Sequence, residues 1–400
     1  MIIKNCNIID CTGKMPYVSD IEVKDGVITK IESNLSGDDT VINGEGKYLI
    51  PGLINLHVHI NRRNVSRTQS SFRQGAPAIE NGSDYHRIIF AARNAWYELS
   101  QGVTTVRDLC SVGRTATALK EAIECGIING PHLYVCGMGI ATIGGHETHR
   151  YKGAVEIGEI EKLPQAVETE IALGADFIKA MASGGIGGMP EHEHPAKAEL
   201  TEEELRAICQ TAHKHGRTVT VHAMGAVPVM NSLKAGVDGI EHGAHLSEEA
   251  LVIMKERSVY YVPTASGIRA VAEKEKRNGN EALADIICQE VVYPQLESIK
   301  KAHEKGILIG AGTDTLGNMI DELLILNEAG LSTLEALQCA TVNAAKILGN
   351  PNIGSVENGK MADLVLLNKN PLENLNNIKE IHSVFFGGTE VNEKWMCNLQ

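Results

Sequence analysis

Eight short runs rich in Val, Ile and Leu recur through most of this chain, each followed by a stretch that reads as helix. That alternation narrows the possible folds more than any other feature. The runs fall at 53–60, 104–109, 132–137, 176–182, 218–223, 238–242, 259–264 and 307–313. Near-continuous apolar runs suit parallel strands buried on both faces. Amphipathic stretches such as Glu202 to His215 and Glu248 to Glu256 lie between them, and Thr201 with Glu204 marks a capping-box start for the first. Eight strand–helix units in series predict an α/β fold of the (β/α)8 type, whose chemistry gathers at the C-terminal strand ends.

The two chain ends have a different texture. Ile2 to Asp10, Ile21 to Val23 and Val27 to Ile31 read as strands, and Asp25-Gly26 reads as a hairpin turn. The tail repeats this with Asp363 to Leu367, His382 to Phe386 and Gly387-Gly388. We expect 1–52 and 349–400 to form one small β-sandwich domain around a barrel at 53–348.

Composition limits the function classes. Of 400 residues 43% are hydrophobic and 22% charged, an ordinary globular balance, and the net charge of −13 argues against nucleic acid or an anionic membrane as partner. Lys4 and Asn5 interrupt the opening apolar residues, and no run is long enough to span a bilayer. Nine cysteines without a C-x-x-C pair read as reduced thiols of a cytoplasmic protein. The expected partners are a small-molecule substrate and further copies of the chain in a homo-oligomer.

Six residues at the downstream ends of the apolar runs read together as a binuclear metal centre: His57, His59, Lys179, His222, His242 and Asp314. Divalent ions of the zinc type favour imidazole and carboxylate ligands on rigid supports. His57 and His59 are two apart on a strand, so both rings leave one face. His213 and His215 have the same spacing on a helix, where the rings diverge, and they read as a solvated face. Lys179 is out of place in an apolar strand, because a buried ammonium is costly and a poor ligand. An amine that takes up carbon dioxide becomes an anionic carbamate able to bridge two cations; the alternative is a lysine snorkelling to solvent. Asp314 reads as ligand and general base, with a helix N-cap as the alternative.

These residues carry a resemblance. Pro51-Gly52-Leu53-Ile54-Asn55-Leu56-His57-Val58-His59, Lys179, His222, Glu241-His242-Gly243, Gly312-Thr313-Asp314 and the tail Gly354 to Val365 resemble the amidohydrolase superfamily over essentially the whole chain. The resemblance implies a distorted TIM barrel with a small β-sandwich, and two divalent ions, zinc in the first instance, bridged by N6-carboxylysine at Lys179. His57, His59 and Asp314 would hold one ion, His222 and His242 the other. Within the superfamily the chain is similar to the prolidase-like and arginine or lysine carboxypeptidase-like branch related to imidazolonepropionase. Gly144-Gly145-His146 supports that placement, and its histidine would meet the substrate and steady the oxyanion. That branch often has a tyrosine soon after the strand-five histidine, whereas Ala223-Met224-Gly225 follows His222 here.

Long segments at 61–83, 138–161 and 183–200 follow strands one, three and four. Arg62, Arg63, Arg67 and Arg73 cluster in the first without a local acid, and a guanidinium is the natural clamp for a substrate carboxylate; a solvated loop or a subunit contact is the alternative. Within the third, the stretch 183–195 with His192 and His194 reads as a lid, with solvent-facing loop histidines as the alternative. The expected reaction is hydrolysis of an amide, peptide-like or N-acyl amino acid, in a small carboxylate-bearing compound through a metal-bridging hydroxide. Lactone or cyclic-amide hydrolysis suits the same residues. Deaminases of this fold usually place a glutamate where Gly225 stands, and a non-catalytic scaffold would not keep six ligands.

Overall fold

The structure is a computed structural model that describes residues 1–37, 40–62, 84–149, 152–187, 189 and 193–392. The chain opens with five strands: β1 (Ile2–Ile8), β2 (Tyr17–Lys24), β3 (Val27–Glu32), β4 (Val41–Asn43) and β5 (Tyr48–Pro51). Asp25 and Gly26 both adopt positive φ between β2 and β3, the turn that Asp-Gly favours.

The middle of the chain supplies β6 (Leu53–Val58), β7 (Val103–Asp108), β8 (His132–Val135), β9 (Gly139–Ala141), β10 (Ala154–Glu156), β11 (Ile178–Met181), β12 (Val219–Ala223), β13 (Gly239–His242) and β14 (Tyr260–Val262). Helices alternate with them: α1 (Asp84–Ser100), α2 (Thr115–Glu124), α3 (Leu163–Ala172), α4 (Glu202–Lys214), α5 (Ala226–Ala235), α6 (Glu248–Arg257) and α7 (Ala265–Arg277). Then come α8 (Glu281–Ile287), α9 (Tyr293–Glu304), α10 (Met319–Glu328), α11 (Thr333–Cys339) and α12 (Val342–Ile347). The Thr201–Glu204 capping box opens α4 as expected. His213 and His215 pair at the surface with Asp238 and Glu168.

The parallel strands form two ladders, β6-β7-β8 and β10-β9-β11-β12-β13-β14, so the barrel has two seams. At one, Asp176 accepts at Oδ2 from the Val135 N–H and donates its own N–H to Val135 O, each at 2.8 Å. At the other, residues 308–314 run between β14 and β6 without forming a regular strand, contrary to the expectation for 307–313. They bond to both neighbours all the same: Tyr261 N–H to Leu308 O at 2.9 Å, and Leu56 N–H to Ala311 O at 2.9 Å. Close approach explains the irregularity, because a Cβ on Gly312 would lie 2.6 Å from that of His57. The segment expected as a long loop after strand three contains β9 and β10, which pair in parallel.

The tail returns as β15 (Leu364–Leu367), β16 (Ile381–Phe386) and β17 (Thr389–Glu390). β15 pairs with β5 and β5 with β1, so both chain ends share one sheet with its own apolar cluster, including Ile8, Ile21, Leu364 and Phe385. Hydrogen bonding joins all eight end strands into that sheet, so the two layers of a sandwich are not visible in the pairing. None of the described helices is long and apolar enough to cross a membrane. The eight described cysteines are free.

Candidate metal centre and active site

Barrel strands end where the candidate ligands stand. His57 lies on β6 with His59 just beyond it, Lys179 on β11, His222 on β12 and His242 on β13, while Asp314 ends the segment at the second seam. All six line one cavity. Ring centroids are 5.4 Å apart for His57–His59, 5.0 Å for His57–His242 and 4.4 Å for His222–His242. His57, His59 and Asp314 offer ligand atoms that all lie within 4.8 Å of one another.

Each of these histidines has one nitrogen held by a partner outside the ring of candidate ligands. His57 donates from Nδ1 to Glu241 at 2.8 Å, His59 from Nδ1 to Cys110 O at 3.1 Å, and His242 from Nδ1 to Thr264 Oγ1 at 2.7 Å. His222 donates from Nε2 to Gly184 O at 3.2 Å. Such outer partners set the tautomer and orient the remaining lone pair, which is the arrangement a metal-binding imidazole requires. His242, Thr264 and Asp314 have φ of 73°, 54° and 54°, and strained backbone of this kind collects at functional sites. The N-cap alternative for Asp314 falls away, because Asn318 caps α10 by accepting from Asp321 N–H at 3.0 Å.

Lys179 is 2% exposed, and its Nζ has no hydrogen-bond partner. Burial lowers its pKa. Burial also takes His57 down to about 4 and holds His222 and His242 well below the usual imidazole value, so neutral, ligand-competent rings are favoured. Burial alone would raise Asp314, but His59 at 3.3 Å, His57 and His242 hold its carboxyl well below the ordinary range. Neutral imidazoles at His57, His222 and His242, an ionised carboxylate and an unpartnered amine in one pocket suit divalent cations.

Beneath the ring lies a charged layer that the sequence reading did not assign. Glu241 is fully buried and accepts from His57, from Arg107 Nη2 at 2.5 Å and from Thr220 Oγ1 at 2.6 Å. Arg107 also donates to Leu56 O at 2.6 Å and to the Tyr260 hydroxyl at 2.9 Å, with the rings of Phe177 and Tyr260 beside it. Burial works against the Glu241 charge, but Arg107 and His57 keep its pKa lowered. A signal existed: a charged residue inside an apolar strand, as in Gly239-Ile240-Glu241-His242, demands a buried partner.

His146 lines the cavity and stacks on His222, ring centroids 4.1 Å apart. Its Nδ1 lies 2.8 Å from Glu193, its Nε2 3.6 Å from Glu147, and its N–H donates to Glu199 at 2.7 Å. Burial would lower its pKa, yet Glu193 and Glu147 raise it overall. Arg62 also lines the cavity, and the acid absent from its own segment is supplied by Glu147, with which it forms an ion pair. Sequence offered no signal for that pair, which spans 85 positions. Arg63, Arg67, Arg73 and His192 lie outside the described residues. His194 is half exposed and stands 3.7 Å from Glu290. Gly185 and Ile186, from the segment expected as a lid, border the cavity.

A parallel barrel with histidines, a lysine and an aspartate on its C-terminal strand ends gathers possible metal ligands where enzymes of this architecture carry their chemistry. The amidohydrolase family model matches residues 48–391, and the chain belongs to that family, in its prolidase-like branch. It is thereby a hydrolytic enzyme acting on C–N bonds. Ochratoxinase of Aspergillus niger is 30% identical over 364 residues, covering 84% of this chain and 73% of that protein. The crystal structure of a Xaa-Pro dipeptidase with bound methionine superposes with a TM-score of 0.85 at 29% identity, covering 98% of this chain and 99% of that one. A prolidase complexed with N-methylphosphonate-L-proline gives a TM-score of 0.86 at 26% identity, covering 98% and 99% of the two chains.

Proposed function

We propose that this chain cleaves an amide bond, peptide-like or N-acyl amino acid, in a small carboxylate-bearing compound at a binuclear divalent metal site. The observation that carries the reading is Lys179: an amine 2% exposed, without a hydrogen-bond partner, in the cavity that His57, His59, His222, His242 and Asp314 also line. Addition of carbon dioxide to that amine forms an N–C bond and releases one proton, leaving a carbamate whose oxygens satisfy the pocket. His57, His59 and Asp314 would hold one ion and His222 and His242 the other, with carboxylated Lys179 as a further ligand. A divalent ion there supplies Lewis-acid polarisation of the carbonyl and acidifies water. Asp314 takes the proton from the attacking water and delivers it to the leaving nitrogen. His146, fixed through Nδ1 by Glu193, presents Nε2 towards the developing oxyanion. The relatives' names, a dipeptidase and a prolidase among them, support amide chemistry.

The test combines metal analysis with a screen of N-acyl amino acids, dipeptides and small lactones on the metal-loaded protein. About two ions per chain and turnover of an amide are expected, with Asp314→Asn losing roughly 10²–10⁴-fold in kcat while keeping its fold. Turnover of lactones alone, or near-normal turnover by Asp314→Asn, would overturn the reading.

A further inference from the structure

The helix that follows the seventh barrel strand presents one stripe to the cavity. Gly267, Ile268, Val271, Lys274 and Glu275 of α7 all line it, at helical spacings of one, four, seven and eight. The foot of the stripe is anchored at the candidate metal centre. The N-cap Thr264 accepts from His242, and a Cβ at Gly267 would lie 2.7 Å from that of Asp314. Lys274 stands seven residues further on, about 10 Å along the helix axis. Side chains on a helix lean towards its N-terminus, so Lys274 leans down towards the centre.

Besides Lys179, two basic side chains among the described residues border this cavity, and they are paired to different degrees. Arg62 is 10% exposed and ion-paired to Glu147, itself 3% exposed. Lys274 is 40% exposed, and its nearest acid, Glu275, is 3.7 Å away. Glu275 in turn accepts from Asn280 Nδ2 at 2.7 Å, which holds it in place. Lys274 therefore keeps donors for an incoming anion, whereas Arg62 is engaged within the protein. Between Lys274 and the centre, Ile268 and Val271 join Ile186 and Met224 in an apolar wall.

We infer that Lys274 binds the substrate's carboxylate, and that the apolar wall takes a bulky apolar or aromatic side group between that carboxylate and the scissile amide. Lys274 is thus a specificity residue for amino-acid amides with large apolar side chains. The inference rests on the amide-hydrolase reading for its substrate, but its test does not depend on turnover.

The probes are the N-methylphosphonyl derivatives of phenylalanine and of phenethylamine, which share the phosphonate and aromatic ring and differ only in the carboxylate. Calorimetric binding to the metal-loaded protein should favour the phenylalanine derivative by about 10- to 100-fold, the range for one charge-assisted hydrogen bond. Lys274→Met should abolish that preference through the phenylalanine derivative alone, and Lys274→Arg should retain most of it. An equal weakening of both probes in Lys274→Met, an unchanged preference in that variant, or no preference in the wild type overturns the inference. Hydrolysis of N-acetylphenylalanine, followed in parallel, tests the amide reading separately.

Discussion

Replacing Glu241 by Gln probes the charged layer that supports the metal centre while preserving side-chain shape. Glu241 accepts hydrogen bonds from His57, Arg107 and Thr220 and is fully buried. The amide has a single acceptor oxygen and turns an NH2 towards at least one of those donors. Arg107, 3% exposed, loses its counter-ion. Breaking a buried ion pair from one side costs roughly 3–5 kcal/mol. Arg107 keeps Leu56 O, the Tyr260 hydroxyl and two aromatic rings, so the lower end, about 3 kcal/mol, is expected. That is a large share of the ~5–15 kcal/mol that holds a typical domain. His57 also loses the acceptor that fixes its tautomer, so metal affinity should fall about 10- to 100-fold. Urea unfolding at neutral pH with chelator present reads the first effect, and metal titration the second. The folded-state pKa of Glu241 lies below its unfolded value, so the stabilisation is present above the unfolded pKa and is lost as pH falls through the folded one. Wild type and variant should therefore converge in acid. A loss below about 1 kcal/mol with unchanged metal affinity would refute the reasoning.

Lys179→Ala should lose bound metal and activity, with partial rescue by short-chain carboxylic acids; intact-protein mass at neutral pH should show the carbon dioxide adduct in wild type and not in the variant. Gly267→Ala places a methyl 2.7 Å from Asp314 Cβ and 2.8 Å from Thr313 O, so it should cut kcat/KM at least tenfold by displacing the base, a result that steady-state kinetics on an identified substrate would check. Burial pushes Glu322 up to about 7 against the N–H groups of Ala265 and Ser266, so the folded state favours its protonated form. The corresponding stability is full below the unfolded carboxyl value and is lost as pH rises towards 7, roughly 3 kcal/mol in all. Glu322→Gln should flatten that decline in chemical unfolding between pH 5 and 8, and an unchanged slope would remove Glu322 as its source.

Strand-end positions of the six candidate ligands were legible because apolar period and ligand chemistry coincide there. His57 and His59 stand out as polar residues in an otherwise apolar run, and Lys179 does so within Asp176 to Ala182. The hairpin at Asp25-Gly26 and the capping box at Thr201 were legible for the same local reason. The pairing of Arg62 with Glu147, of Arg107 with Glu241 and of His146 with Glu193 was not, since each joins segments far apart in the chain. Nor could the sequence foretell that 308–314 closes the barrel without a regular strand, which follows from contact between Gly312 and His57. By itself, then, the sequence determined the alternation of elements and the residue types at their ends, because local periodicity and side-chain chemistry are written in consecutive residues. Which nitrogen of each imidazole is held, which acid answers which base, and that α7 lays Lys274 along the cavity were decided only by tertiary structure, because burial and hydrogen bonding depend on what the rest of the chain brings near.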